Sequence, residues 1–220
     1  MTVLETQGLA ARHAARALAV AGTARKNAAL EAIAQALCLH QDAILAENQK
    51  DLDAARAGGM KQSLLDRLAL SPQRIAGIVE GVRQVAALPD PVGEVTRMTR
   101  RPNGLIIGKR RVPLGVIGII YEARPNVTAD AFALCFKTGN VVILKGGSDA
   151  IHSNEAIVNC IRETLKEQGV TENAIQLISD TSRETAAEFM KMNQYVDVLI
   201  PRGGRGLIKA VVEQSTIPVI

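Results

Sequence analysis

Apolar residues follow a helical spacing through the first part of the chain. Between Leu9 and Leu88 they recur every three or four positions, which is the period of an amphipathic helix. The clearest runs are Leu30, Ile33, Leu37 and then Ile75, Ile78, Val79, Val82, Val85. This stretch is therefore predicted to form a layer of helices.

Helix-terminating residues divide this layer into segments. We expect Thr23 to cap the start of one helix and the pair Gly58-Gly59 to end another. Ser71 and Pro72 suit the N-cap and the first position of the last helix. Prolines at positions 89 and 91 stop that helix, because proline cannot continue the hydrogen-bond pattern.

A hairpin is predicted after the helical layer. Two extended runs, Glu94–Arg100 and Leu105–Val112, flank the turn tripeptide at 102–104, Pro-Asn-Gly. The hairpin is strongly basic, through Arg97, Arg100, Arg101, Lys109, Arg110, Arg111. It is either a polyanion-binding arm or an arm that is solvated or contacts another subunit. The second is favoured, because the hairpin has no aromatic side chains to interleave with bases.

After Pro113 the pattern changes to short, continuous apolar runs, which are typical of strands buried on both faces. The runs are Val116–Ile120, Val141–Leu144, Ala174–Ile178, Val196–Ile200, Ile217–Ile220. Helix-length stretches separate them, namely Thr128–Lys137, Ser153–Gln168, Ser182–Lys191, Gly206–Gln214. This alternation predicts an α/β protein with a parallel sheet covered by helices.

The composition is that of a packed, globular protein. Hydrophobic residues make up 47% and charged residues 22%, which excludes disordered, collagen-like and disulfide-scaffold chains. The net charge of +4 favours anionic ligands, such as small phosphorylated molecules. Aromatic residues make up only 2%, so a nucleic-acid platform of stacked rings lacks its main material. We expect a small-molecule substrate and no nucleic-acid partner.

Cysteine usage and the apolar segments predict a cytoplasmic protein. Cys38, Cys135 and Cys160 are widely spaced and form no CxxC pair, which favours reduced, buried thiols. The histidines show no ligand spacing, so no metal site is expected. The longest apolar run, Val112–Tyr121, is about half as long as a membrane span, and Glu5 lies where a signal peptide is apolar. We expect no membrane association.

Candidate ligand-binding loops lie at the carboxyl ends of the predicted strands, where open parallel sheets bind ligands beside helix N-termini. Two are glycine-rich and basic, namely Lys145-Gly146-Gly147-Ser148 and Arg202-Gly203-Gly204-Arg205. Glycines let the backbone approach a phosphate, and the cations can neutralise it. The alternative is turn glycines beside solvated cations. Two such loops on one edge favour a phosphate-bearing cofactor, although neither GxGxxG nor a Walker sequence is present.

Asn126 has two possible roles. Pro125 breaks the first strand of the sheet, and Asn126 or Thr128 can then cap the following helix. Alternatively, the Asn126 amide donates a hydrogen bond to a developing oxyanion. The residues alone leave both roles open.

Several segments resemble one enzyme family. The segment Val112–Thr128, which reads VPLGVIGIIYEARPNVT, closely resembles the gamma-glutamyl phosphate reductase family, also called glutamate-5-semialdehyde dehydrogenases. Further segments resemble the same family, namely Asp66–Leu70, Lys137–Asn140, Ile200–Gly204, Gln214–Ile220. The resemblance therefore extends over the whole chain. This family is a branch of the aldehyde dehydrogenase superfamily.

The resemblance implies an aldehyde dehydrogenase-like fold, with a variant Rossmann parallel sheet preceded by a helical layer and a β-hairpin. Residues 1–92 are expected to form the helical layer of the cofactor domain, and residues 93–112 a protruding hairpin through which the protein forms a homo-oligomer. Residues 113–220 are expected to form the NADP-binding portion. The catalytic domain is expected beyond residue 220.

The resemblance also implies roles for individual residues. Asn126 matches the superfamily's oxyanion-binding asparagine, and Lys145 matches the lysine that contacts the adenosine ribose. Gly203 and Gly204, with Arg202 beside them, match the turn that faces the pyrophosphate, and Gly146, Gly147 and Ser148 complete the cofactor site. Ser148 stands where NAD-preferring members often have a glutamate, so NADP is the expected cofactor.

The activity implied by the resemblance is NADPH-dependent reduction of L-glutamate 5-phosphate to L-glutamate 5-semialdehyde with release of phosphate, a step of proline biosynthesis. The family's catalytic cysteine follows the segment that begins at Ile217, and none of the three cysteines lies in the matching motif. We expect an N-terminal piece of an oxidoreductase that is inactive by itself. The alternatives are a branch that oxidises free aldehydes and a noncatalytic nucleotide-binding module.

Overall fold

The computed structural model describes residues 1–220. Five helices form the first part of the chain, as the helical spacing predicts. They are α1 Val3–Leu18, α2 Thr23–Leu39, α3 Gln41–Ala57, α4 Gln62–Leu68, α5 Pro72–Ala87. Ser71 is the N-cap of α5, its hydroxyl accepts from the Arg74 N–H, and Pro72 occupies the first helical position. Gly58 ends α3. These predicted helix boundaries are confirmed.

The predicted capping role of Thr23 is wrong. Gly22 is the N-cap of α2, and Thr23 is the first residue of the helix. The Thr23 hydroxyl donates instead to the Asp90 carboxylate, at 2.8 Å between Oγ1 and Oδ2. A capping hydroxyl would accept from a backbone N–H of the first turn, whereas this hydroxyl is held outside the helix by its donation to a charged carboxylate.

The predicted hairpin is confirmed. Strands β1, Val95–Arg100, and β2, Ile106–Arg110, pair antiparallel to each other and to no other strand. Nearly all of their residues are exposed. The exposed side chains include large apolar ones, namely Val95, Met98, Leu105, Ile106, Ile107. The hairpin therefore presents apolar surface as well as basic charge.

The predicted parallel sheet is confirmed. Its strands are β3 Val116–Tyr121, β4 Val141–Lys145, β5 Ile175–Leu177, β6 Val198–Arg202, all parallel and in the order β5-β4-β3-β6. The helices between and after them are α6 Asn126–Lys137, α7 Ile151–Glu167, α8 Arg183–Phe189, α9 Arg205–Gln214. The strand order reverses between β3 and β6, and open α/β sheets bind ligands at such a switch point.

The fifth predicted strand, Ile217–Ile220, forms only one parallel bridge, between Leu199 and Val219. The Leu199 N–H donates to the Pro218 carbonyl, and the Ile220 N–H donates to the Leu199 carbonyl. Pro218 has no N–H of its own, so this segment cannot continue the ladder in the usual way. The strand prediction is therefore wrong in extent, while the segment lies beside β6.

One core of 47 buried residues joins the helical layer to the sheet. Gly118, in the middle of β3, shows how closely it packs. A Cβ atom there would lie 2.6 Å from Leu199 Cδ1 and 2.9 Å from Phe189 Cζ. Because interiors are close-packed, a side chain at this point would have to displace the Leu199 and Phe189 side chains. None of the nine helices has the length and hydropathy of a membrane span.

A buried ion pair joins α2 to the loop that follows α5. Lys26 Nζ lies 2.6 Å from Asp90 Oδ2, and the two side chains are 1% and 6% exposed. Lys26 also donates to the Lys137 carbonyl, and the Lys137 ammonium donates to Asn27 and to the Ala86 carbonyl. Burial opposes ionisation of Asp90, but hydrogen bonds from Lys26 and Thr23 outweigh it and lower the pKa of this carboxyl.

Candidate functional site

Two neighbouring cavities lie at the carboxyl end of the sheet. The first, of about 400 Å³, is lined by Asn126 and Asp130 of α6 and by residues of α4 and α5. The second, of about 670 Å³, contains the turn at Arg202–Gly204 and the loop between β3 and α6. The structure thus brings the oxyanion candidate and one of the two glycine-rich loops to adjoining spaces.

Asn126 begins α6, but it does not cap it. The N-cap is Pro125, with no side-chain capping bond. The Asn126 amide instead donates to the Asp130 carboxylate, at 3.0 Å between Nδ2 and Oδ2. The capping interpretation of Asn126 is therefore wrong. A side-chain amide has two N–H donors, so one remains for a ligand in the smaller cavity.

Asp130 fixes which end of the Asn126 amide is the donor. It lies one helical turn further along α6, where positions i and i+4 are neighbours. Burial raises the pKa of Asp130, and this effect is opposed by the Asn126 hydrogen bond and by the charge of Arg202. Asp130 was not predicted, because the predicted helix began at Thr128 and left Asn126 outside it, whereas α6 begins at Asn126.

A buried hydrogen-bond network joins α6 to β3 and α7. The Tyr121 and Thr128 hydroxyls are 2.7 Å apart, and the Thr128 hydroxyl donates to Asn154 Oδ1 at 2.9 Å. These residues belong to β3, α6 and α7, and all are buried. Thr128 is thus engaged within the interior and does not cap α6. Burial also raises the pKa of Tyr121, so its hydroxyl stays neutral.

Lys145 ends β4 and is 4% exposed, so the solvated-cation alternative is wrong for this residue. Its ammonium donates to the Gly146 carbonyl at 3.3 Å, and donors remain for a ligand. Burial lowers the pKa of Lys145, while the negative charge of Asp180 opposes this shift. Lys145 is therefore a buried cation at the sheet edge, and its ammonium has one hydrogen-bond acceptor in the chain.

The residues after Lys145 leave room above the sheet edge. A Cβ atom at Gly146 would lie 2.6 Å from the buried Asn154 Nδ2, so a side chain here would have to displace the Asn154 amide. That Nδ2 atom has no hydrogen-bond acceptor. Gly147 has open space where a Cβ would stand, and Ser148 is exposed. A ligand can approach the backbone here without displacing a side chain.

Glu122 binds the glycine turn after β6. The Gly204 N–H donates to Glu122 Oε2 at 3.0 Å, and a Cβ atom at Gly203 would lie 2.7 Å from Glu122 Cδ. Gly204 is the N-cap of α9, so this carboxylate lies at a helix N-terminus. The turn therefore donates a hydrogen bond to an anionic oxygen. Arg202 is exposed, as the solvated-cation alternative predicts. Glu122 could not be found from local sequence patterns, because 82 residues separate it from Gly204.

No cysteine lines either cavity. Cys135 and Cys160 are buried as predicted, and burial raises the pKa of the two thiols to about 12 and about 11. The prediction is wrong for Cys38, which is exposed because its position on α2 faces solvent. No three His, Cys, Asp or Glu side chains are grouped as a metal ion requires. The smaller cavity thus has a hydrogen-bond donor, the Asn126 amide, but no cysteine nucleophile.

The chain is similar to known proteins along its whole length. The model of the aldehyde dehydrogenase family matches residues 3–219. A gamma-glutamyl phosphate reductase from Lachnospira eligens is 56% identical over 220 residues, which are 100% of this chain and 53% of that protein. One from Moorella thermoacetica is 57% identical over 217 residues, 99% of this chain and 52% of that protein.

Solved structures agree with these sequence relatives. The crystal structure of gamma-glutamyl phosphate reductase from Thermotoga maritima has a TM-score of 0.97 at 44% identity, covering 99% of this chain and 53% of that one. The chain spans about half the length of the curated relatives it matches. The match over residues 3–219 and the shared architecture lead to one conclusion. The chain belongs to the aldehyde dehydrogenase family.

Proposed function

We propose that this chain supplies the cofactor-binding portion of an NADPH-dependent reductase that converts L-glutamate 5-phosphate into L-glutamate 5-semialdehyde and phosphate. The observation that carries the proposal is the 56% identity over the full 220 residues with a gamma-glutamyl phosphate reductase. The position of Asn126 at a cavity beside a glycine turn supports it. We place this activity in proline biosynthesis and in the cytoplasm.

The proposed reaction needs a thiolate nucleophile. The thiolate attacks the acyl carbon, the bond from carbon to the phosphate oxygen breaks with its electron pair leaving on phosphate, and a thioester forms. A nicotinamide cofactor, which Lys145, Gly203 and Gly204 would hold, would supply the hydride chemistry that reduces this thioester to the aldehyde. We place this cysteine outside the chain, because no cysteine lines the cavities and burial raises the pKa of Cys135 and Cys160.

Asn126 would stabilise the oxyanion that forms at the acyl oxygen. Its amide is held by Asp130, so the free N–H keeps its direction without reorganisation during the reaction. Preorganised donors of this kind are the largest single contribution in many acyl-transfer enzymes. Asp130 would act as a positioning residue, since it touches Asn126 and not the reacting atoms.

The residues at the sheet edge fit a dinucleotide cofactor. Lys145, Gly146, Gly147 and Ser148 would hold its adenosine side, because the ammonium has donors to spare and the glycines leave the backbone accessible. Gly203 and Gly204, with Arg202 beside them, would hold the pyrophosphate, because their turn already binds an anionic oxygen of Glu122.

NADPH rather than NADH is the proposed cofactor, and Ser148→Glu in the full-length enzyme tests this choice. A carboxylate at position 148 would repel a 2′-phosphate, while the exposed Ser148 hydroxyl can donate to it. We expect the KM for NADPH to rise at least ~10-fold, equivalent to about 1.4 kcal/mol, with little change for NADH.

Ser63→Glu is the control for this experiment. Ser63 is an exposed serine on α4 that lines neither cavity, so the same charge change there should leave both KM values unaltered. Equal effects of Ser148→Glu on NADPH and NADH would show that Ser148 does not face the 2′-phosphate.

The proposed activity is tested by incubating the full-length gene product with L-glutamate 5-phosphate and NADPH. We expect semialdehyde and inorganic phosphate in equal amounts. Oxidation of free aldehydes without any phosphate requirement would support the alternative dehydrogenase branch instead. Nucleotide binding without turnover of either substrate would support the noncatalytic module.

We propose the same division of the chain that the resemblance implies. Residues 1–92 would be the helical layer of the cofactor domain, 93–112 an oligomerisation hairpin and 113–220 the NADP-binding portion. The exposed apolar side chains of the hairpin, such as Met98 and Ile107, support contact with a second copy of the chain. We propose no nucleic-acid partner, since the basic hairpin has no aromatic residues.

A further inference from the structure

Two arginines stand at the boundary between the two cavities. Arg67 of α4 and Arg124 of the loop between β3 and α6 each line both the smaller cavity and the larger one. The smaller cavity contains Asn126, and the larger contains the turn at Gly203 and Gly204. Both arginines are exposed, and both therefore line the place where the space beside Asn126 meets the space beside the glycine turn.

Buried contacts fix the backbone on both sides of Arg67. The Asn48 amide, 1% exposed, donates to the Leu68 carbonyl at 2.9 Å and accepts from the Leu70 N–H at 2.8 Å. Arg74 donates to the backbone carbonyls of Asp66 and Ala69. The segment that carries Arg67 is thus held in place before any ligand arrives.

The two arginines are also the uncommitted cations of this boundary. Neither Arg67 nor Arg124 has a hydrogen-bond acceptor or an ion-pair partner for its guanidinium in the chain. By contrast, Arg74 is paired with Asp66 at 2.8 Å, and it is occupied by the carbonyls of the same segment. Both guanidinium groups are therefore free to take an external anion.

The acidic residues of the cavities do not neutralise this pair. Asp66 is paired with Arg74, whereas Asp130 and Glu122 accept hydrogen bonds from neutral donors and keep their negative charge. The remaining carboxylate, Asp149, is exposed and lines the larger cavity but not the smaller one. Arg67 and Arg124 together outweigh Asp130, the one carboxylate of the smaller cavity without an ion-pair partner, so the space beside Asn126 carries a net positive charge.

We propose that Arg67 and Arg124 together bind the phosphate group of the acyl phosphate substrate. The inference rests on the proposed function and deepens it by assigning the leaving-group side of the site. Guanidinium groups bind phosphate oxygens through paired N–H donors, which a lysine cannot reproduce. Asn126 takes the acyl oxygen, and the two arginines take the phosphate bonded to the same carbon.

This arrangement also assists bond cleavage. When the thiolate adds to the acyl carbon and the C–O bond breaks, the electron pair and the extra negative charge go to the departing phosphate. Positive groups positioned for this charge stabilise the transition state more than the ground state. In the reverse direction, the same arginines hold inorganic phosphate for attack on the thioester.

The reverse reaction provides the test, because inorganic phosphate is then a substrate that can be titrated. The full-length enzyme oxidises glutamate 5-semialdehyde with NADP⁺ and phosphate, and Arg67→Gln and Arg124→Gln are compared with the unaltered enzyme. We expect each variant to raise the KM for phosphate at least ~10-fold, while the KM for NADP⁺ changes less than about twofold. Arg67→Lys and Arg124→Lys should restore only part of the loss, because lysine keeps the charge without the paired donors.

Arg83→Gln is the matched control. Arg83 is a half-exposed arginine on α5 that pairs with Glu31 and lines neither cavity, so its removal should leave both KM values unchanged. A higher KM for NADP⁺ with a normal KM for phosphate would overturn the proposal and assign the arginines to a cofactor phosphate. Unchanged kinetics in the Arg67 and Arg124 variants would overturn it as well.

Calorimetric titration of the full-length protein with inorganic phosphate separates this proposal from the proposed function. If the unaltered enzyme has no semialdehyde activity, the proposed function fails, and the titration still tests the arginines. Phosphate binding that is lost in both glutamine variants supports the site. Binding that persists in them, or is absent from the unaltered protein, overturns it.

Discussion

Replacing Asn126 by alanine in the full-length enzyme is expected to lower kcat by about a hundredfold or more, equivalent to about 3 kcal/mol of transition-state stabilisation. The reason is loss of the second amide N–H of Asn126, a residue that lines the smaller cavity and whose amide is held by Asp130. Cofactor affinity should stay nearly unchanged, because Asn126 does not belong to either glycine-rich loop. Steady-state kinetics with separate titrations of substrate and NADPH measure both quantities.

Asn193→Ala is the control for this variant. Asn193 is exposed and lines neither cavity, so its truncation should leave kcat unaltered. The assignment of Asn126 would be reversed by a normal kcat together with weaker NADPH binding or a lower melting temperature. That result would make Asn126 a structural residue at the start of α6.

Asp90→Ala is expected to destabilise the fold by about 3–5 kcal/mol, which is the usual result of removing one partner of a buried ion pair. The substitution leaves the buried Lys26 ammonium without its carboxylate, close to the second ammonium of Lys137. Urea or guanidinium denaturation of the 220-residue chain, followed by circular dichroism, measures the free energy of unfolding.

The pH dependence gives a second measurement of the same contact. The pKa of Asp90 is lower in the folded state than its ordinary value, so the stabilisation is fully present above that ordinary pKa. It is lost as the pH falls through the lowered value. Asp90→Asn should therefore flatten the acid side of the stability profile.

Glu47→Ala provides the surface control. Glu47 pairs with Lys50 at 2.6 Å, but the Lys50 side chain is 59% exposed, so removal of this pair should change stability by less than about 1 kcal/mol. If Asp90→Ala had an effect as small as Glu47→Ala, the buried pair would contribute no more than a solvated one.

Much of the fold can be predicted from local patterns. Continuous apolar runs identified β3, β4, β5 and β6, because strands buried on both faces need apolar side chains at successive positions. The predictions failed where a distant group decided the outcome. Thr23 bonds to Asp90, 67 residues away, and no local pattern near Thr23 contains that carboxylate.

The candidate site also combines features that local patterns predict with features that depend on distant contacts. Its loops could be located, because the carboxyl ends of parallel strands bring glycine-rich turns to one edge. Asp130 was recoverable only with the true start of α6 at Asn126, two residues before the predicted start at Thr128. Glu122 and the fixed backbone around Arg67 were not, since the first depends on a contact across 82 residues and the second on the buried Asn48.

The hydrogen bond between Glu122 and Gly204 sets a thermodynamic condition on any anion that binds the turn before α9. Such a ligand replaces the Glu122 carboxylate as the acceptor of the Gly204 N–H. The free energy gained on binding is therefore the difference between the two hydrogen bonds. The observed dissociation constant then equals the intrinsic one divided by the fraction of molecules in which the turn is open. The glutamate thus acts as an internal competitor, and it makes affinity at this turn depend on the population of its own displaced rotamer.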